Sequence, residues 1–274
     1  MLEQVVLQTT PPYTLNIDAV DPDEIIIVKS ISGLEATDVT LFTGEYARAG
    51  GYYQGRRPGV RNPVFNLKLN PDYAADIEVS DIREMLYDMF LEPSATADGL
   101  QVVLKDDRRP DRYFVGYTEK IPADIFSRDT SGQISMICTD PYLKSVVSVT
   151  GNDAVGWTTV NIPYQGSAKN GLQMTLLVKT ATNTLTVDID GVKMTLLKPT
   201  GNFAVNDVIT FNTVEGSRFI RQNGSDIMSL LTPASKWHLL RKLSPNLTKI
   251  YGGAVGDGKV VMTSYTFQDA WWGI

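Results

Sequence analysis

Along most of this chain apolar residues come in short runs or alternate with polar ones, and the runs are bounded by glycine, proline, asparagine or aspartate. A period of two puts alternate side chains on one face of a strand, so the pattern predicts a mainly β protein. Val5–Gln8, Tyr13–Ile17 and Glu24–Ile31 are the first expected strands, and the last, EIIIVKSI, has the β-branched run of a strand buried on both faces. One stretch breaks the rule. In Asp81–Leu91 the residues Ile82, Met85, Leu86, Met89 and Phe90 recur at helical intervals and form one apolar stripe suited to covering a sheet. Asp81 and Glu84 have capping-box spacing, and Pro93 marks the stop. Strands resume at Leu100–Leu104 and Arg112–Tyr117, joined as a hairpin across KDDRRPD, and again at Gln133–Cys138.

The texture changes after the turn Thr139-Asp140-Pro141-Tyr142. From Val146 onward short alternating runs follow one another without helical periodicity: Trp157–Ile162, Gly171–Lys179, Leu185–Ile189, Val192–Leu197, Asp207–Thr213, Ser217–Arg221, Trp237–Leu243 and Lys259–Phe267. Asp190-Gly191 and Asn223-Gly224 read as hairpin turns. The expected organisation is two domains, 1–144 with one helix among strands and 145–274 as a β-sandwich or jelly roll.

Between Ile31 and Leu69 two strand-like runs, Asp38–Tyr46 and Val64–Leu69, flank a loop rich in glycine and arginine, which predicts a hairpin with a decorated tip. The loop contains Gly50, Gly51, Gly55 and Gly59 with Arg48, Tyr52, Tyr53, Arg56, Arg57 and Arg61. Glycines permit backbone shapes closed to other residues, and guanidinium groups make planar, directional hydrogen bonds, so the tip is equipped to grip something outside its own domain. A charged loop is equally at home as plain solvated surface.

Composition bounds the chemistry. With 274 residues, 43% hydrophobic and 20% charged, the chain folds, and its net charge of −6 opposes general binding to a phosphate backbone. No apolar run is long enough to span a membrane, and the start lacks the pattern of a secretory signal, which implies synthesis in the cytoplasm. The single cysteine, Cys138, excludes an internal disulfide and a cysteine metal cluster, and no metal or cofactor site is expected. The single histidine, His238, lies among apolar neighbours as a strand residue would, without a nucleophile motif, and no catalytic residue is assigned. Gly253 to Lys259 has the glycine and lysine spacing of a phosphate-binding loop, but Val260 stands where serine or threonine is needed and a strand follows, so the segment reads as a hairpin turn. Trp157, Tyr164 and Trp237 are candidate sugar-stacking residues, or core.

Four runs in the first half carry a resemblance: Ile31-Ser-Gly-Leu34 leading toward Arg61, REMLYDMFLEP, Tyr113-Phe-Val-Gly116-Tyr117, and Ile134-Ser-Met-Ile-Cys-Thr-Asp-Pro-Tyr142. In the second half Asp207-Val-Ile-Thr-Phe-Asn-Thr, Gly216-Ser-Arg, Asn223-Gly224, Ser235-Lys-Trp-His-Leu and Asn246 continue it, and Trp271-Trp-Gly-Ile closes it. In order and spacing these resemble the phage distal tail proteins, although Leu243-Ser-Pro-Asn246 lacks the glycine expected before the asparagine. The resemblance implies a barrel-like or sandwich first domain that forms a homohexameric ring, and a galectin-like second domain. The ring would join the tail tube protein to the tail-tip hub protein of the virion and surround a channel through which DNA passes without specific binding. Arg48, Tyr52, Tyr53, Arg56, Arg57 and Arg61 then become candidates for a subunit or tail-partner interface. Two other classes stand beside this structural one: a module binding host surface carbohydrate through the second domain, and a wall hydrolase, for which the acid–base inventory is thin.

Overall fold

The computed structural model describes residues 2–9, 12–17, 24–45, 51–71, 77–91, 99–121, 130–242 and 245–274. The chain divides into two compact units, Met1–Val146 with Trp271–Ile274, and Val147–Ala270. The last four residues, expected with the second domain, therefore cluster with the first unit.

The first unit contains β1 (Leu2–Leu7), β2 (Tyr13–Asn16), β3 (Ile26–Ser32), β4 (Val39–Glu45), β5 (Gly51–Pro58), β6 (Val64–Leu69), helix α1 (Val79–Phe90), β7 (Leu100–Asp106), β8 (Arg109–Lys120), β9 (Ser131–Ile137) and β10 (Leu143–Ser145). Its main sheet runs β2-β1-β7-β8-β9-β6-β3, with β10 added beside β8. The two ends of the sheet approach through a parallel bridge between Ile17 and Val28, which curls it into a half-barrel. Ile26, Ile27 and Val28 are all buried, as a β-branched run in a doubly covered strand should be.

Helix α1 lies where the apolar period placed it. Ile82, Leu86, Met89 and Phe90 enter the core with Phe65, Leu69 and Ile134, and the Phe65 and Phe90 rings meet edge to face at 5.8 Å. Its start differs from the expectation. Asp81 is the third helical residue rather than the cap, and its carboxylate reaches back to accept the backbone N–H of Glu78 at 2.8 Å, so the helix gains Val79 and Ser80.

The second unit contains β11 (Val149–Trp157), β12 (Thr159–Asn161), β13 (Gln173–Val178), β14 (Thr184–Ile189), β15 (Val192–Leu197), β16 (Val208–Asn212), β17 (Phe219–Gln222), β18 (Ser225–Asp226), a 3-10 turn (Met228–Leu230), β19 (Leu247–Tyr251) and β20 (Val260–Phe267). Six strands form one sheet in the order β11-β20-β13-β16-β17-β18, and four form another in the order β12-β19-β14-β15. Alternate residues of both supply one core, among them Met174, Leu176, Val187, Met194, Phe211, Ile250 and Met262. Asp190 and Gly191 have φ of 50° and 84°, and Asn223 and Gly224 have 50° and 87°, the left-handed pairs of tight hairpin turns. Trp237–Leu243, expected as a strand, contributes only an isolated bridge from Leu240 to Asn170 among its described residues.

Candidate functional site

The arginine-rich stretch is itself a strand. β5 pairs antiparallel with β4 from Val39 opposite Pro58 to Glu45 opposite Gly51, forming a separate two-stranded sheet. The expected partner, Val64–Leu69, pairs instead with β3 and β9 inside the half-barrel. The hairpin is thus shorter and self-contained, because Val64–Leu69 carries the alternate apolar residues that the core requires. A two-stranded ribbon is marginal by itself in water.

This ribbon exposes apolar side chains on both faces. Leu41 and Tyr53 are each 62% exposed, Phe42 47% and Tyr52 43%. Register puts Leu41, Arg56 and Tyr53 on one face and Phe42, Arg57 and Tyr52 on the other, with a bulge between Phe42 and Thr43. Tyr52 lies across Gly44, where a Cβ would meet its ring at 2.5 Å. Arg56 and Arg57 are both exposed. Arg48 lies outside the described residues.

Arg61 has a different place. It is 1% exposed, and all five of its N–H groups donate to backbone carbonyls. Nε and Nη2 reach Pro141 O at 3.1 and 2.7 Å, Nη1 reaches Gly33 O at 3.1 Å and Glu35 O at 2.8 Å, and Nη2 also reaches Trp272 O at 2.5 Å. Its main chain exchanges two hydrogen bonds with Cys138. Burial lowers its pKa from the ordinary arginine value. Expected as an interface residue, Arg61 holds the first unit together instead, collecting the segments before β4, after β9 and at Trp272. Gly33, at φ +76°, is essential here, since a Cβ on it would strike Asn62 O at 2.0 Å.

The same cluster steadies the base of the ribbon. Trp272 packs edge-on against Tyr142 at 5.0 Å, and the Arg56 guanidinium lies 5.8 Å from its ring centre. Gly59 N–H donates to Asp38 O at 2.8 Å, closing the ribbon where it leaves the unit. Along the described ribbon, Arg56 and Arg57 lie toward this base and the exposed Tyr52 and Tyr53 farther from it.

The remaining candidates lie in or against the second core. Tyr164 is buried in the second core and its hydroxyl donates to Ala168 O at 2.5 Å. Trp157 packs against Tyr265 at 5.6 Å, and Trp237 lies partly buried under Arg218 at 5.3 Å. His238 is 1% exposed, its Nε2 lies 2.6 Å from Val192 O, and burial pushes its pKa down to about 4. The Cys138 thiol is buried and pushed up to about 12, which keeps it protonated and unreactive.

The loop that matched a phosphate cradle already holds an anion of its own. The Asp257 carboxylate accepts from the backbone N–H groups of Gly252, Gly253, Ala254 and Lys259 at 2.7–3.2 Å, and these bonds lower its pKa. No group of three metal-ligating side chains occurs among the described residues.

No family model and no curated protein sequence matches this chain. Its likeness is to solved structures. Dit (gp 19.1) of phage SPP1, presented as a paradigm of the hub adsorption apparatus in phages infecting Gram-positive bacteria, aligns over 98% of this chain and 99% of its own. The TM-score is 0.63 at 14% identity. A chain of the phage P2 baseplate, in its activated conformation with Ca, aligns over 98% of both chains at 8% identity and a TM-score of 0.45. Sequence identity this low leaves the fold as what is shared, and through both units this chain has the fold of SPP1 Dit.

Proposed function

We propose that this chain is a structural component of a phage tail tip, a ring-forming adaptor between the tail tube and the tail-tip hub. The observation that carries the reading is the correspondence to SPP1 Dit, which runs through both units and leaves almost none of either chain over. The ribbon β4–β5 supports it. A two-stranded sheet that exposes Leu41, Phe42, Tyr52 and Tyr53 beside two arginines has the composition of an interface core before its partner arrives. The partner in this reading is a second copy of the chain within a homohexamer, with neighbouring tail proteins above and below.

In this reading the chain is a virion component with no reaction to perform. The acidic balance suits a channel wall, since a net charge of −6 per copy repels a passing duplex and lets DNA slide without sticking. Light scattering after size exclusion, with negative-stain electron microscopy of the same fraction, tests the assembly. Closed rings of six copies are the expected result. A monomeric mass at high protein concentration that persists when the tail tube and hub proteins are added overturns it.

A further inference from the structure

We infer that Trp271–Ile274 is a strap that aims the β4–β5 ribbon, with Trp272 as its positioning residue, so that association through the ribbon, on the reading of it as an interface, is conditional on the strap being docked. All four strap residues are held within the first unit. The Trp271 ring lies 4.1 Å from the Arg112 guanidinium. Trp272 O accepts from Arg61 at 2.5 Å, and its ring meets Tyr142 edge-on at 5.0 Å. Gly273 O accepts from Arg112 at 3.1 Å, and Ile274 N–H donates to Leu34 O at 3.3 Å. The closest approach is at Gly273, where a Cβ would lie 2.9 Å from both Leu34 O and Glu35 C.

These contacts fall on both limbs of the ribbon. The incoming limb is residues 34–38, which lead into β4. Ile274 bonds it at Leu34, Gly273 lies against Glu35, and Arg61 takes the carbonyls of Gly33 and Glu35. The outgoing limb is β5, where Arg56, two residues before Pro58, holds its guanidinium 5.8 Å from the centre of the Trp272 ring. The hydrogen bond from Gly59 N–H to Asp38 O joins the two limbs. Trp272 therefore serves both sides of that joint, with its carbonyl in the Arg61 network and its ring under Arg56.

Geometry makes the base decisive. β4 and β5 form a two-stranded sheet by themselves, so among the described residues no third strand fixes their direction. From Val39 to Glu45 the ribbon extends about 20 Å, and a tilt of about 15° at its base moves the far residue by about 5 Å. That exceeds the separation at which side chains remain in contact. Leu41, Phe42, Tyr52 and Tyr53 on such a lever bind well only when aimed beforehand, because ordering them on association costs affinity.

The test uses nitroxide labels on the full chain at Thr40→Cys in the ribbon and Gln133→Cys on β9, both exposed positions, while the buried Cys138 stays unlabelled. Pulsed electron resonance reads the distance between the labels in the monomeric fraction, and light scattering reads association of the unlabelled chain. One sharp distance is expected in the parent. Trp272→Ala should broaden it or add a second distance, and should weaken association about three- to fivefold, the worth of one cation–π contact. Trp272→Phe should recover most of both. Arg56→Gln breaks the same contact from the exposed side, leaves the core intact and should also broaden the distance. Val102→Ala, in the first core, should lower the melt and leave the distance sharp. A distance that stays sharp in both Trp272→Ala and Arg56→Gln, or that broadens as much in Val102→Ala, overturns the inference, and so does a broad distance with undiminished association. A parent that stays monomeric with its tail partners sinks the adaptor reading instead, and the distance still decides whether the strap aims the ribbon.

Discussion

At the scale of single residues, two buried groups set how the chain responds to change. Arg61 donates five hydrogen bonds from a site 1% exposed, so removing it leaves four carbonyls facing a vacancy in the first unit. Arg61→Ala should cost about 3–5 kcal/mol of that unit's stability, the usual effect of breaking a buried charged network. Arg61→Lys should recover little, because a single ammonium cannot serve carbonyls on several sides. Chemical denaturation followed by fluorescence, with its tryptophans in both units, separates the outcomes. His238 acts through pH. Its folded pKa of about 4 lies below the unfolded value near 6.5, so the unfolded chain binds the extra proton between them. Stability of the second unit should therefore fall as pH drops through that window, by about 3 kcal/mol in total. Calorimetry of the parent and of His238→Phe at pH 7 and pH 5 checks it, and the variant should show the smaller dependence.

At the scale of elements, the ribbon separates folding from association. Arg56 and Arg57 are exposed, so Arg56→Ala with Arg57→Ala should leave the melting temperature of the isolated chain nearly unchanged. At a desolvated interface the same truncation typically costs about 2–5 kcal/mol of binding. A normal melt with weakened oligomers in light scattering is the expected pair of results, and normal oligomers would return these arginines to plain surface. Much at this scale was legible in the sequence. The apolar stripe of α1, the buried run of β3 and the Asp-Gly and Asn-Gly turns each follow from local period or local backbone chemistry. What escaped was pairing. Asp38–Tyr46 reads as well against Val64–Leu69 as against Gly51–Pro58, and only the core's demand for Phe65, Leu67 and Leu69 decides it. β11 and β19 were hidden because TGNDAVGW and LTKIY mix small, polar and charged residues and gain their strand character from β20 and β14 alongside. Arg61 looked like its arginine neighbours, since nothing local says that four carbonyls from distant segments will converge on it.

At the scale of the whole molecule, the question is how two cores share one chain. Each unit has its own hydrophobic cluster, so a fragment Val147–Ala270 should fold alone with a cooperative melt. Circular dichroism of that fragment is the check, and an insoluble or non-cooperative product would show that the second core depends on the first. The change of texture after Tyr142 was visible in the sequence, whereas the return of Trp271–Ile274 was not, because an aromatic pair at a strand end fits either core.

That return has a consequence for how such a chain can diversify. In the first unit Val146 N–H donates to Asp111 O at 3.1 Å, while the Trp271 ring lies 4.1 Å from the guanidinium of Arg112, so the chain leaves and re-enters at neighbouring residues of one strand. In the second unit the two ends also meet, with Val149 opposite Phe267. The smaller core is therefore a cassette, spliced into a host whose own contacts stay continuous across the splice. Cassettes of this kind can be exchanged, enlarged or deleted by recombination at two closely spaced codon boundaries without redesigning the host. The second unit can thus change in size or sequence while the first unit keeps its own internal contacts.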